Sequence, residues 1–339
     1  MEKPLYKIRD RAKFGFIDAG GHVVIQPQYL EAEEFYNGFS RVRLNDKLVH
    51  LDVLGRPLIK QFYAEIGLFE ENRARVRLVS RWGYIDPSGD LAIPVRFDRA
   101  LDFSDGLAPA WEDGLCGFID RQGEYVLPPK YEAALGFSEG LAPARLGGQW
   151  GFIDPEGYWA TGPHFDRCFP FRNGLAAFVE GDRWGLIDRK GQILTPARFD
   201  YGEDLVPGEF YEGLAVVRQD DFYGFVDEQG QVLVPPTYDM AGDFSEGKAP
   251  VRERDKYGFI DRKGQTCIPH RYEDAGLFCD GRAPVRRKGK WGYIDASGEW
   301  VIPPKFTAAD PFRDGLARVV MDNRWLYIDS EGSAVWRES

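Results

Sequence analysis

Aspartate is the residue whose spacing most invites a chemical reading. Ten copies stand at Asp18, Asp52, Asp86, Asp120, Asp154, Asp188, Asp227, Asp261, Asp295 and Asp329. Ten carboxylates at a fixed period suggest calcium ligation or acid–base work. Each one, however, opens an Asp-x-x-Gly stretch, where a carboxylate accepts a backbone N–H two residues on. A calcium loop needs several oxygen ligands within one short segment, and none of these stretches carries them. His22, His50, His164 and His270 fall at different places in four copies. Cys116, Cys168, Cys267 and Cys279 form no CxxC pair and have no histidine at zinc spacing. Local spacing thus gives no nucleophile–base pair, metal cluster or phosphate loop, and the chain reads as a non-enzyme with no metal and no cofactor.

The elements that carry these aspartates recur. The interval between them is 34 residues five times, then 39, then 34 three times more, so the chain is a tandem repeat before it is anything else. Within one copy, Leu141–Arg145 reads as a strand and Gly147-Gly148 as a two-residue hairpin turn needing positive φ. Trp150–Asp154 is a second strand, Asp154-Pro155-Glu156-Gly157 a type I turn, and Tyr158–Thr161 a third strand. No segment has a helical apolar period. The expected fold is all-β: ten three-stranded β-meanders forming one array over residues 1–339. The first choice is a curved or superhelical stack. The alternative is a closed ring or propeller-like toroid, set second because propeller blades usually have four strands and about 40–45 residues.

Trp82-Gly83-Tyr84-Ile85-Asp86, Trp150-Gly151-Phe152-Ile153-Asp154 and Trp291-Gly292-Tyr293-Ile294-Asp295 resemble the WG (tryptophan-glycine) repeat family of bacterial proteins. The resemblance covers essentially the whole chain. It implies a β-rich repeat fold and an interaction module rather than a shared reaction. The copies depart from the pattern at Phe14, Leu48, Cys116, Tyr223 and Tyr257 for Trp, and at Val49 and Leu326 for Gly.

Other columns assign structural work. Phe35, Phe69, Phe103, Phe137, Phe171, Phe210, Phe244, Phe278 and Phe312 occupy one linker position, as expected of an inter-repeat core. The signature glycine implies close approach, and a ring from the neighbouring repeat is the expected occupant. An arginine column (Arg9, Arg43, Arg77, Arg145, Arg218, Arg252 and Arg286) should face the signature aromatic, with Arg77 over Trp82 and Arg286 over Trp291. Acids near each linker glycine, such as Glu71 and Asp105, can pair locally.

Function is sought where the repeat breaks. The long interval places five extra residues within 201–209, and insertions often map to a binding face. Candidate binding residues are Trp159, Tyr201, Leu205, Val206, Tyr211, Arg218 and Phe222. The net charge of −11 disfavours nucleic acid and anionic membrane as partners. No apolar run reaches the roughly 18 residues of a membrane span, and the first residues have no signal-peptide core. These features predict a monomeric, cytoplasmic scaffold that binds another protein. A nucleic-acid factor using the arginine column and a glycan-binding array are the alternatives.

Overall fold

The computed structural model describes residues 4–58, 61–202 and 205–339. Its described residues contain no helix and form ten antiparallel sheets, eight of four strands and two of three. The fifth sheet is representative. Its strands are Ala133–Ala134, Ala142–Leu146, Gln149–Ile153 and Trp159–Phe165, in chain order across the sheet. The two-residue strand has no pattern a sequence reading could detect, which is why a three-stranded unit was expected. Gly147 and Gly148 turn the hairpin at φ 62° and 83°; Asn45-Asp46 and Asp220-Asp221 do the same elsewhere, all residue types suited to a type I′ turn.

The signature glycine answers to a different neighbour from the one expected. Trp150 faces Phe165 and Phe152 faces Thr161, so residues 162–164 bulge opposite Gly151. A Cβ on Gly151 would collide with the Thr161 carbonyl oxygen and lie 2.7 Å from the Gly162 carbonyl carbon. On Gly83 it would lie 2.6 Å from the Ile93 oxygen, and on Gly258 2.6 Å from the Ile268 oxygen. The occupant is therefore backbone of the same blade's last strand, not a ring from the next repeat. The tenth copy, where Leu326 replaces the glycine, pairs Leu326 with Arg337 and Tyr327 with Trp336 with no bulge between them. The second copy, with Val49, pairs its last strand only through Pro57 and Leu58; residues 59 and 60 lie outside the described residues.

Past the bulge the chain changes sheets almost at once. Tyr131 pairs with Cys116 in the fourth sheet, and Ala133 pairs with Arg145 in the fifth. Glu132 alone connects them. One extended segment thus serves two blades, and 34 residues suffice for four strands. This removes the length objection to a propeller.

The core lies between successive sheets. One cluster joins Cys116, Phe118, Leu127 and Tyr131 of the fourth sheet to Ala142, Ala144 and Ile153 of the fifth. The linker phenylalanines meet the preceding sheet edge-on: Phe118–Phe137, Phe152–Phe171 and Phe225–Phe244 each at 4.8 Å between ring centroids. Such pairs add about 0.5–1.5 kcal/mol beyond burial.

The array closes into a ten-bladed β-propeller, and the open superhelical stack is set aside. Tyr6, Ile8 and Ile17 of the first sheet share a cluster with Leu316 and Tyr327 of the last. The Tyr327 hydroxyl donates to the Lys7 carbonyl at 2.8 Å, and Tyr6 donates to the Asp314 carbonyl at 2.9 Å. No strand pairs across the seam among the described residues. Instead Glu338 follows the last strand as Glu132 follows the fourth sheet's, and holds Arg9 at 2.9 Å as Glu132 holds Arg145 at 3.5 Å. The seam repeats the contact made between other blades.

Two expectations follow for stability and shape. Gly151→Val should lower the melting temperature by the equivalent of about 1–3 kcal/mol, and Phe137→Ala by about 3–5 kcal/mol; equal melts for Gly151→Val and wild type would remove the close-approach account. Small-angle scattering should give a radius of gyration near the roughly 20 Å of a compact chain of this length, whereas a much larger, elongated particle would reopen the superhelix.

Candidate functional site

The repeated charged residues are consumed by the architecture. In the first turn, Asp18 Oδ1 accepts N–H bonds from Gly20 and His22, each at 2.9 Å. The pattern recurs at Asp120, Asp188, Asp227, Asp261, Asp295 and Asp329. These bonds hold the Asp18 carboxyl below its ordinary range, chiefly through the His22 N–H, and depress Asp295 through the Ser297 hydroxyl. The aspartates are turn formers, and no group of three or more His, Cys, Asp or Glu among the described residues has metal-site geometry.

The arginine column lies in the expected register, with Arg77 opposite Trp82 and Arg286 opposite Trp291. Arg77 does sit over the Trp82 ring, 5.9 Å from its centroid. Its main partner is nevertheless a carboxylate, Glu65. Arg43 pairs with Glu31 at 3.0 Å and Arg286 with Glu273 at 3.5 Å. The acids at the crossing also cap the neighbouring hairpin: Lys288 and Gly289 N–H groups donate to Glu273 at 2.9 Å.

The linker acids do something the sequence did not reveal. Glu71, Asp105, Glu139, Glu212, Glu246 and Asp280 each reach the next blade and accept its linker glycine N–H. Gly140 donates to Asp105 at 2.9 Å, Gly174 to Glu139 at 2.8 Å, Gly247 to Glu212 at 3.0 Å and Gly315 to Asp280 at 2.8 Å. The signal was there in the 34-residue recurrence of Asp/Glu-Gly, but not the partner. Burial pushes the Cys116 thiol up to about 12 and raises those of Cys168, Cys267 and Cys279 as well.

The seven residues singled out at the centre do not form one site. Trp159 is half-buried, its ring 6.0 Å from that of Tyr131 in the preceding blade. Tyr125 on Phe97 and Trp300 on Tyr272 repeat this contact, so Trp159 is part of the inter-blade packing. Leu205 is also partly buried, against the cluster of Val216, Tyr223 and Phe225. Tyr201 donates its N–H to the Asp182 carbonyl, and its hydroxyl accepts from Arg167 Nη1 at 2.7 Å. Arg218 lies 3.9 Å from Asp200 and pairs with Asp221. Tyr201 and Arg218 do meet, lining a shallow depression with Asp182, Arg183, Asp200 and Asp221. Phe222 is exposed at this hairpin end, opposite Gln219. Tyr211 is exposed beside Leu214, at the far end of the same six-residue strand, about 17–20 Å away. Val206 is 57% exposed. Glu203 and Asp204, within the insertion, lie outside the described residues. Among the described residues the seventh blade has no short first strand; the insertion falls at that place in the repeat.

His50 replaces the signature's second aromatic and packs 4.7 Å from Phe69, as a ring of that column does. Its Nε2 donates to the Gly67 carbonyl at 2.8 Å. Burial pushes its pKa down to about 4. The folded state therefore binds this proton less readily than the unfolded chain, whose histidines titrate near 6.5. Stability should be complete above about pH 6.5 and fall by about 1.4 kcal/mol per pH unit below it, down to pH 4. His50→Phe, which restores a column ring, should flatten that part of the profile in thermal melts across pH 4–7. An unchanged slope would show that other groups carry it.

Comparison with known proteins agrees with this geometry. A search of curated proteins finds no match. Among solved structures, a crystal structure of the eukaryotic initiation factor aligns over 100% of this chain and 96% of its own, with TM-score 0.58 and 12% identity. Hsv2 of Kluyveromyces marxianus aligns over 59% of this chain and 77% of its own (TM-score 0.36, 11% identity). Hsv2p of Kluyveromyces lactis aligns over 71% and 97% (TM-score 0.34, 10% identity). At these identities the first likeness concerns the fold alone, and the other two carry no argument. The WG-containing repeat matches residues 14–47, 82–116, 117–150, 150–184, 184–221, 223–257, 257–291 and 291–325. With eight matched repeats from Phe14 to Trp325, the chain belongs to the family of WG-containing repeat proteins.

Proposed function

We propose that this propeller is a non-enzymatic scaffold that binds another protein, acting as a cytoplasmic monomer without a cofactor. The repeat fold supports an interaction role, since a ring of sheets offers a broad rigid surface and its charged columns are occupied in turns and ion pairs. The observation that carries the reading is the break between the sixth and seventh blades. There the repeat's short strand is replaced by a segment that leaves Val206 and Tyr211 exposed in a ring whose other large side chains mostly face the core. Exposed apolar side chains at a departure from a repeat fit a partner contact. The arginine column, engaged with carboxylates, favours a protein over a nucleic acid.

Affinity capture from lysate should recover a partner with the intact chain and several-fold less with Val206→Asp combined with Tyr211→Ala, at an unchanged melting temperature. Equal recovery would move the contact elsewhere on the ring. A retained species whose binding falls by a slope near 0.7–0.9 per phosphate contact in a log–log salt titration would point to nucleic acid instead.

A further inference from the structure

We infer that the hairpin of the ninth blade, Arg287-Lys288-Gly289-Lys290, is a docking site for a short acidic peptide segment of a partner protein. The ten copies supply the control. In every blade the residues flanking the hairpin turn face each other directly, and such pairs are stabilising when opposite in charge and destabilising when alike. They are Asp10 with Lys13, Glu180 with Arg183 and Glu253 with Lys256 in three blades. In the others at least one partner is uncharged, as in Leu44 with Lys47 or Leu146 with Gln149. Among the described residues the ninth blade alone sets two cations opposite each other, Arg287 and Lys290, with Lys288 at the turn between them at φ 51°. All three side chains are exposed, and none makes an ion pair among the described residues. The carboxylate that caps this hairpin, Glu273, is engaged by Arg286 and by the N–H groups of Lys288 and Gly289. A repulsive cluster left uncompensated in a chain of net charge −11 is a local conflict of the kind expected at functional sites.

The second observation is what lies beneath it. Arg287, Lys288 and Lys290 line a depression whose wall is the half-buried indole of Trp300 and the ring of Pro304. The equivalent depression near the sixth and seventh blades differs, for its arginines face Asp182, Asp200, Asp220 and Asp221. Three unpaired cations beside an apolar wall suit carboxylates flanking an aromatic or proline side chain. The flanking hairpins select for a short ligand. On the eighth hairpin Glu253 and Asp255 are matched by Arg254 and Lys256, and on the tenth Asp322 by Arg324, so the excess positive charge is confined to one hairpin and offers a long polyanion no continuous track.

This inference rests on the scaffold reading but uses a different face, so its test is separate. The probe is a fluorescein-labelled decapeptide with four Asp or Glu residues around one Phe, read by fluorescence anisotropy on the full chain. Saturable binding is expected, about tenfold weaker for Lys288→Glu with Lys290→Glu and little changed for Lys256→Glu on the neighbouring blade. Trp300→Leu should also weaken binding, and a thermal melt of each variant keeps misfolding apart from loss of the site. Binding that persists undiminished in the double variant overturns the assignment while leaving the scaffold reading standing, as does the absence of saturable binding. Tighter, equally variant-sensitive binding of a labelled uridine oligonucleotide would overturn the peptide in favour of RNA.

Discussion

Between Tyr131 and Ala133 the chain leaves one sheet and enters the next through a single residue, and this is possible because the last strand of the sheet has first bulged over a glycine. The bulge lays three residues opposite one, which bends the strand and turns its end away from its own sheet. A side chain at the glycine would block the carbonyl that rests there. With the crossing so short, adjacent sheets are held within ring contact, and the Phe118–Phe137 type of pair can form at every junction. Neither blade could bury those rings alone, so the stability of each is lent by its neighbours.

The electrostatics follow from the same arrangement. A short crossing leaves backbone N–H groups at the hairpins and linker turns with no strand partner, and buried or half-buried donors must find acceptors. Carboxylates supply them at many of the junctions, at the crossing as with Asp98, Glu132 and Glu273 and at the linker as with Asp105 and Glu139. The arginine column then neutralises the crossing acid. A negatively charged chain rich in Asp and Glu is in this light a consequence of turn and crossing geometry. Exposed ion pairs of this kind contribute little each, about 0–1 kcal/mol, and their main effect is to fix register.

Much of this was legible in the sequence because it is local. Hairpin register, the aspartate turns and the phenylalanine column each depend on residues within one copy, and ten copies make the signal redundant. What was not legible depends on distances between copies. The self-similarity says that each junction resembles the next, but the angle between blades, which decides ring or superhelix, has no residue of its own. The glycine's occupant was misassigned because a bulge of three residues is not written in the alternation of a strand containing Pro or Gly. Trp159 misled for a related reason. An aromatic outside the common columns looked like a surface residue, yet Tyr125 and Trp300 stand at the same repeat position and pack the same way. Tyr201 and Arg218 line one depression, whereas Tyr211 and Phe222 lie at opposite ends of one hairpin.

Closure without strand exchange shows how much variation the ring tolerates. At the seam the bulge is lost, Leu326 takes the glycine's place, and with two fewer residues in the last strand Glu338, opposite Trp325, brings its carboxylate to Arg9 as Glu132 does to Arg145. In the seventh blade the short strand is lost, and Leu205 and Gly208 keep the junction filled, the latter with its ideal Cβ position only 3.1 Å from Ala177 Cβ. In both places the crossing changes while the ring contacts on either side persist. The hairpins are freer still, since they need only two residues able to adopt positive φ. Their flanking pair can be acidic, neutral or, in the ninth blade, wholly basic without disturbing the core. The parts of the repeat that carry stability and the parts that can carry recognition are therefore separable along each 34-residue unit, the first at the bulge and linker ring, the second at the hairpin and crossing.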